Sequence, residues 1–160
     1  MQPLSSAEFR VVKEIKDLGM QLPAAGNMRY ELGGIAGDLV EAKRAFERDQ
    51  YSSATFGNIR TGRRLYDASL DYLRSAVARI SRIHPGLEPD FGMVNDIVFT
   101  TPQEVRVVDR IKGLVDVMKG AEQNAHTLSQ AELAGALRLT ANQAAATALM
   151  LNFANAGSET

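Results

Sequence analysis

Few residues in this chain belong to the types that carry out chemistry, and the sequence does not group them. The 160 residues include no Cys and two His, His84 and His126. Without Cys there are no disulfides, zinc–thiolate sites, iron–sulfur clusters or thiol nucleophiles. Two His offer little for acid–base catalysis or metal binding, and both stand where we expect a helix to end. We therefore interpret them as helix caps.

The remaining pairs of charged residues do not have the spacing or surroundings of an active site. Glu122 and His126 lie four residues apart but have no second His to complete a metal site, and the Glu-x-x-His spacing of di-iron bundles is absent. Asp67 and Asp71 are spaced like a carboxylate pair, yet arginines lie within one helical turn of them. We predict a salt-bridged surface there. The sequence thus predicts no enzyme activity, no cofactor and no metal.

A glycine-rich stretch at residues 33–37 is the nearest approach to a phosphate-binding loop. It lacks the Gly-Lys-Ser/Thr ending of a P-loop and follows no strand. Gly33 and Gly37 share one face of a helix because they are four residues apart. We expect them to allow close helix packing, with Gly62 at the facing position of the next helix.

The elements that must position these residues are helices, because apolar residues recur at intervals of three and four almost throughout. The predicted helices begin at Ser5, near Ala25, at Ser52 or Ser53, at Thr101 and at Ser129. The third ends before Pro85, which disfavours helical backbone in the residue before it. Thr101 is the expected N-cap of the fourth, with Pro102 at its first position. Ser129 and Glu132 have the spacing of a capping box for the fifth.

The second helix carries the clearest core pattern. Its apolar residues alternate in steps of four and three, as in a helical bundle seam: Met28, Leu32, Ile35, Leu39, Ala42 and Phe46. The predicted fold class is all-α, an antiparallel bundle of about five helices with an apolar strap between helices three and four. Residues 1–84 are expected to form a three-helix N-terminal bundle, residues 85–100 the strap, and residues 101–160 a two-helix segment packed on that bundle.

The strap combines turn residues with apolar side chains, so it is not a typical solvated linker. We expect it to pack across the bundle as a short helix or an extended segment, or to dock on a partner. Its candidate partner-binding residues are Phe91, Met93 and Phe99.

Charge is nearly balanced overall but unevenly distributed. The chain has 18 Lys and Arg against 19 Asp and Glu, while residues 60–84 hold six Arg and two Asp. Arg60, Arg63 and Arg64 are candidates for contact with carboxylates of a protein partner or with phosphates. Nucleic acid is possible but unlikely, because backbone binding usually requires a basic domain.

Residues 128–149 resemble a helix-turn-helix. Ala134 stands where the motif needs a small residue, and Arg138, Asn142, Gln143 and Thr147 would be the DNA-binding residues. The segment departs from the motif at Arg138, where Gly commonly makes the turn, and no basic residue follows it. The alternative is one continuous Ala-rich helix.

The function expected from these patterns is that of a non-enzymatic helical structural or adaptor protein that acts through protein–protein assembly. The expected partner is a second copy of the chain, in a homo-oligomer, or another protein. The alternative is a helix-turn-helix DNA-binding regulator that uses residues 129–151. The N-terminus lacks a signal-peptide pattern and no run of about 18 apolar residues occurs, so the expected location is cytoplasmic, with no membrane contact.

Overall fold

The computed structural model describes residues 22–56, 65–102 and 106–158. They form five helices, and no strand occurs in this part of the chain. The helices are α1 (Ala25–Phe56), α2 (Asp67–Ile83), α3 (Phe91–Thr100), α4 (Val107–Gln123) and α5 (Gln130–Ser158), with a 3₁₀ turn at Pro85–Leu87. The predicted all-α bundle is confirmed. The helix expected from Ser5 lies outside the described residues, apart from its last residue, Leu22.

Four of the helices form a square bundle. Helix α1 packs beside α2 and α4, and α5 packs beside the same two helices. Helices α1 and α5 are therefore diagonal to each other, as are α2 and α4. Helix α3 lies outside this square, against α5.

Side-chain contacts fix the helix directions. Ser69, near the start of α2, donates to the Ala42 carbonyl oxygen, whereas Arg79, near its end, reaches back to Asp38. Helices α1 and α2 are thus antiparallel. The end of α4 lies beside the start of α1, because the Glu122 carboxylate faces Gly33. The start of α5 meets the start of α1, where the Leu22 N–H donates to the Gln130 side chain at 2.9 Å. Neighbours in the square therefore all run antiparallel.

The core follows the predicted seams. All six seam residues of α1 are buried, and the corresponding residues of α4 and α5 are buried with them: Ile111, Leu114, Met118, Leu133, Leu137, Ala144 and Leu151. They belong to one hydrophobic cluster with Leu70, Leu73 and Ile80 of α2. The periodicity read from the sequence thus gave the correct buried faces for these helices.

The predicted start of the third helix is wrong. Ser52–Phe56 continues α1, and α2 begins only at Asp67. The residue before α2, Tyr66, has a left-handed backbone with φ 68°. A positive φ lies outside the α-helical region, so a single helix cannot run through Tyr66 into α2.

The predicted start of the fourth helix is also wrong. Thr101 is the C-cap of α3, and α4 begins at Val107 after Arg106. The Thr101 hydroxyl donates to the Ile97 carbonyl oxygen one turn earlier in α3. This bond holds Thr101 to the preceding helix, so the Thr-Pro pair ends a helix here.

The predicted apolar strap is the 3₁₀ turn together with α3. Asp90 caps α3 by accepting from the Met93 N–H at 2.9 Å. Only Val94 among the ten residues of α3 is buried. Helix α3 runs parallel to α5 and returns the chain to the end of the bundle where α4 starts.

The helices differ greatly in length. Helices α1 and α5 have 32 and 29 residues, whereas α2 and α4 have 17 each. At about 1.5 Å per residue, the long pair exceeds the short pair by roughly 20 Å. Since α1 and α5 start at the same end of the bundle, their C-terminal parts both extend beyond it at the opposite end.

Candidate functional site

A groove opens between α2 and α3 above α5. The two helices lie on either side of α5 without backbone contact with each other, and they enclose a cavity of about 430 Å³. Ala145 and Ala148 of α5 form its floor. Leu73 and Val77 of α2 and Phe91 and Val94 of α3 are among the residues of its walls. The small floor residues leave the space open, and we call this site the α2–α3 groove.

Exposed apolar side chains border this groove. Phe91 is 81% exposed and Phe99 is 82% exposed, and Met93 is also exposed. Phe153, one turn beyond the groove residue Leu149 on α5, is exposed as well. The structure therefore leaves all three partner-binding candidates of the strap at the surface.

The two sides of the groove differ in charge, although Arg74 is the one charged residue among those that line it. Helix α2 has three arginines and two carboxylates, the latter both in its first five residues. Arg74 and Arg82 are exposed, whereas Arg79 is paired with Asp38 of α1. The chain from 84 to 102 has three carboxylates and no Lys or Arg. These carboxylates, of Glu88, Asp90 and Asp96, are all exposed.

A second unusual feature lies where α3, α4 and α5 meet. Arg110 of α4 is 4% exposed, and its guanidinium is held by neutral oxygen atoms. Nη2 donates to Gln143 Oε1 at 2.7 Å, Nη1 to Thr101 Oγ1 at 3.1 Å, and Nε to Thr147 Oγ1 at 3.4 Å. None of these acceptors is charged. Burial lowers the pKa of Arg110 from its ordinary value.

The hydroxyl acceptors are fixed in orientation. Thr147 Oγ1 donates its own proton to the Gln143 carbonyl oxygen at 2.7 Å, and Thr101 Oγ1 donates to the Ile97 carbonyl oxygen. Each hydroxyl can therefore turn only lone pairs toward the guanidinium.

The segment that resembles a helix-turn-helix has a different structure. Residues Gln130–Ser158 form one helix without a turn, started by the predicted capping box, in which the Glu132 N–H donates to Ser129 Oγ at 3.1 Å. The alternative of one continuous helix is thus the correct one, and the two-helix interpretation of residues 129–151 is wrong.

The four residues assigned to DNA make contacts within the protein. Arg138 donates to the Gly86 carbonyl oxygen at 2.8 Å, and the Asn142 side chain accepts from the Asp90 N–H at 2.7 Å. Gln143 and Thr147 hold Arg110. Asn142 and Thr147 are buried. Their hydrogen bonds connect the 3₁₀ turn, the start of α3 and α4 to α5.

Other predicted residues have mixed outcomes. Arg60, Arg63, Arg64 and Gly62 lie outside the described residues. A Cβ at Gly33 would come within 3.0 Å of Glu122 Oε1, so this position is tight against a side chain. A Cβ at Gly37 would meet no atom within 4 Å. The close packing expected at Gly37 is therefore absent.

The two histidines differ in their surroundings. His84 is the C-cap residue of α2, as expected, but its side chain caps the 3₁₀ turn that follows: Nδ1 accepts from the Gly86 N–H at 2.9 Å. His126 is exposed in the turn after α4. In the described ranges no three His, Asp or Glu side chains come together as a metal site.

None of the described helices has both the length and the apolar character required to span a membrane.

Sequence reasoning missed Arg110. Arg110 lies three residues after Val107 and four before Leu114, a spacing that places it beside the apolar face of this helix. An arginine at such a position is easily assigned to the solvated face because long charged side chains reach outward. Its burial depends on α5 and on the end of α3, which the local pattern does not contain.

Comparison with known proteins gives no further guide: no protein-family model, no curated protein and no solved structure matches this chain.

Proposed function

We propose that this protein is a non-enzymatic assembly component that binds a second copy of itself through the α2–α3 groove and the exposed side of α3. The observation that carries the proposal is the exposure of Phe91 and Phe99 on one short helix beside an apolar groove. Burying one such side chain contributes roughly 1.5–3 kcal/mol. Clustered exposed apolar side chains of this kind are typical of interaction sites.

Charge favours a second copy as the occupant. In a two-fold symmetric dimer the same patch contacts itself, so α3 of one copy can lie against α2 of the other. The anionic chain around α3 of each copy would then face the exposed Arg74 and Arg82 of the other copy. The phenylalanines of each α3 would enter the groove of the partner, where the alanine floor leaves room for them.

Light scattering after size-exclusion chromatography tests the proposal. We expect the wild-type protein to be a dimer or larger assembly at micromolar concentration, and we expect Phe91→Ser together with Phe99→Ser to shift it to the monomer. The matched control is Tyr30→Ser with Tyr51→Ser, which removes two exposed aromatic rings from α1. The control should leave the mass unchanged because α1 lies on the other side of the bundle.

Two results would contradict the proposal. A wild-type protein that stays monomeric throughout the micromolar range would remove self-assembly altogether. A dimer that dissociates with the α1 substitutions and survives the α3 substitutions would place the interface elsewhere. Circular dichroism on each variant shows that a change of mass does not come from unfolding.

A further inference from the structure

Arg110 carries a charge that the described chain does not balance. Its three partners are neutral, and no carboxylate forms an ion pair with it among the described residues. Arginine stays protonated in proteins, so a buried guanidinium cannot avoid this cost by losing its proton. Burying an unpaired charge is expensive, by several kcal/mol for an isolated ion.

The guanidinium is also left with donors to spare. It has five N–H groups, and the three contacts with the described residues use three of them. The Nε contact with Thr147 is buried, whereas Thr101 and Gln143, which bind Nη1 and Nη2, are themselves partly exposed. Arg110 itself is only 4% exposed, so a small ligand would have to reach the guanidinium between these two side chains.

The first turn of α4 lies at the same place and offers free backbone N–H groups, although it also carries the exposed carboxylate of Asp109. Arg110 is the fourth residue of α4, and helical side chains lean toward the N-terminus of their helix, so its guanidinium lies alongside the first turn. The N-cap residue, Arg106, provides no side-chain cap. The first N–H groups of a helix and its dipole attract anions.

We infer that the junction of α3, α4 and α5 is a binding site for a small oxyanion, a carboxylate or phosphate group held by Arg110 and the N-terminal turn of α4. The planar fork of arginine matches the two oxygens of such a group, and charge-assisted bonds of this kind are the strong ones. The neutral acceptors of Thr101, Gln143 and Thr147 fix the guanidinium in position before the anion arrives. This site is separate from the α2–α3 groove and does not depend on self-assembly.

NMR on the full-length ¹⁵N-labelled protein tests the inference. Inorganic phosphate and, separately, acetate are titrated at constant ionic strength held with sodium chloride. We expect saturable shifts of the Arg110 Nε–H and of the Val107 and Val108 amides within the millimolar range for at least one of the two anions. The comparison between phosphate and acetate shows which kind of oxyanion the site prefers.

Substitutions then locate the effect. Arg110→Met retains the aliphatic stem and should abolish the saturable shifts of Val107 and Val108. The control Arg29→Gln removes an exposed arginine of α1, away from both the junction and the α2–α3 groove, and should leave them unchanged. Should Arg110→Met fail to fold by circular dichroism, Arg110→Lys replaces it; this variant keeps the charge but lacks the fork, and we expect it to weaken binding about tenfold.

Stability gives an independent readout. At an anion concentration ten times the Kd, binding raises the folding equilibrium constant about elevenfold. Phosphate also stabilises proteins generally, so the decisive quantity is the part of the increase that Arg29→Gln keeps and Arg110→Met loses.

Three outcomes overturn the inference. One is the absence of saturable shifts with either anion in the wild-type protein. Another is equal affinity in the wild-type protein and Arg110→Met. The third concerns Glu104, which lies outside the described residues. If saturable binding appears only in the variant Glu104→Gln, the Glu104 carboxylate is the counter-ion of Arg110 and no external anion is needed.

Discussion

Tyr66 occupies a backbone conformation that few residues other than glycine adopt. Its φ of 68° lies in the left-handed region, which costs a residue with a Cβ roughly 1–2 kcal/mol. Its ring stacks on Phe46 of α1 with 4.6 Å between the ring centroids. An aromatic pair of this kind contributes about 0.5–1.5 kcal/mol beyond its buried area. The stack thus offsets much of the backbone strain and sets where α2 begins.

Burial of the Tyr66 phenol predicts how the free energy of unfolding depends on pH in the alkaline range. Desolvation, and to a smaller extent the charge of Asp49, raise the pKa of the Tyr66 phenol above its ordinary value of 10.0. The folded protein therefore keeps this proton where the unfolded chain releases it, and stability present below pH 10 is lost as pH rises through the raised pKa. We expect Tyr66→Phe to reduce this loss, as measured by urea unfolding near neutral pH and above pH 10. The control is Tyr51→Phe, whose ring is exposed, and parallel pH curves for wild type and Tyr66→Phe would contradict the prediction.

At the scale of elements, the glycines of α1 give a direct test of packing. Glycine in a helix interior is less favourable than alanine by about 0.8–1.0 kcal/mol. Gly37→Ala adds a methyl group to open space on an exposed position, so we expect the free energy of unfolding to rise by nearly that amount. Gly33→Ala places the methyl group 3.0 Å from Glu122 Oε1, and we expect a smaller gain. Chemical denaturation of both variants measures the difference; a larger gain at Gly33 would contradict the packing described for α1 and α4.

The elements also show what the sequence could predict and what it could not. The seam of α1 and the capping box at Ser129 are local patterns, and the structure confirms both. Thr101 and Pro102 form an equally good local signal for a helix start, yet Thr101 ends α3 because Arg110 and the Ile97 carbonyl oxygen hold its hydroxyl. The contact with Arg110 forms only when α4 has packed in place.

The candidate site was predictable only in part. Phe91, Met93 and Phe99 stood out as apolar residues in a segment rich in turn residues, and all three are exposed. The groove beside them was not predictable, because its floor comes from alanines of α5, more than 40 residues further along the chain. Asn142 and Thr147 were assigned to an outward face, since a helix in isolation does not reveal which neighbours will cover it.

At the scale of the whole molecule, the charge difference between the exposed arginines of α2 and the carboxylates around α3 predicts how variants should combine. Arg74→Glu makes the α2 wall less basic, and Asp96→Arg makes the α3 side less acidic. In a symmetric dimer each substitution alone creates like-charge repulsion in both halves of the interface. We therefore expect each variant alone to have a weaker dimer, by several-fold or more in Kd, with the effect decreasing at high salt.

An equimolar mixture of the two variants should restore association. In the mixed dimer, Glu at position 74 of one copy faces Arg at position 96 of the other, and the remaining pair keeps its natural charges. Analytical ultracentrifugation of the two variants, alone and mixed, measures the three affinities. A mixture no stronger than the weaker variant would show that the interface does not pair α2 with α3.

The segment that contains α3 connects two pairs of helices, and this connection affects the last step of folding. Helices α1 and α2 form one hairpin and α4 and α5 form another, each from residues close in sequence, while all contacts between the hairpins join distant residues. Local hairpins form quickly, whereas long-range docking must overcome the entropy of closing the chain between them. The segment from His84 to Arg106 is therefore a tether, whose length sets the effective concentration at which one hairpin meets the other. Cleavage within this segment would turn the last step of folding into a bimolecular reaction.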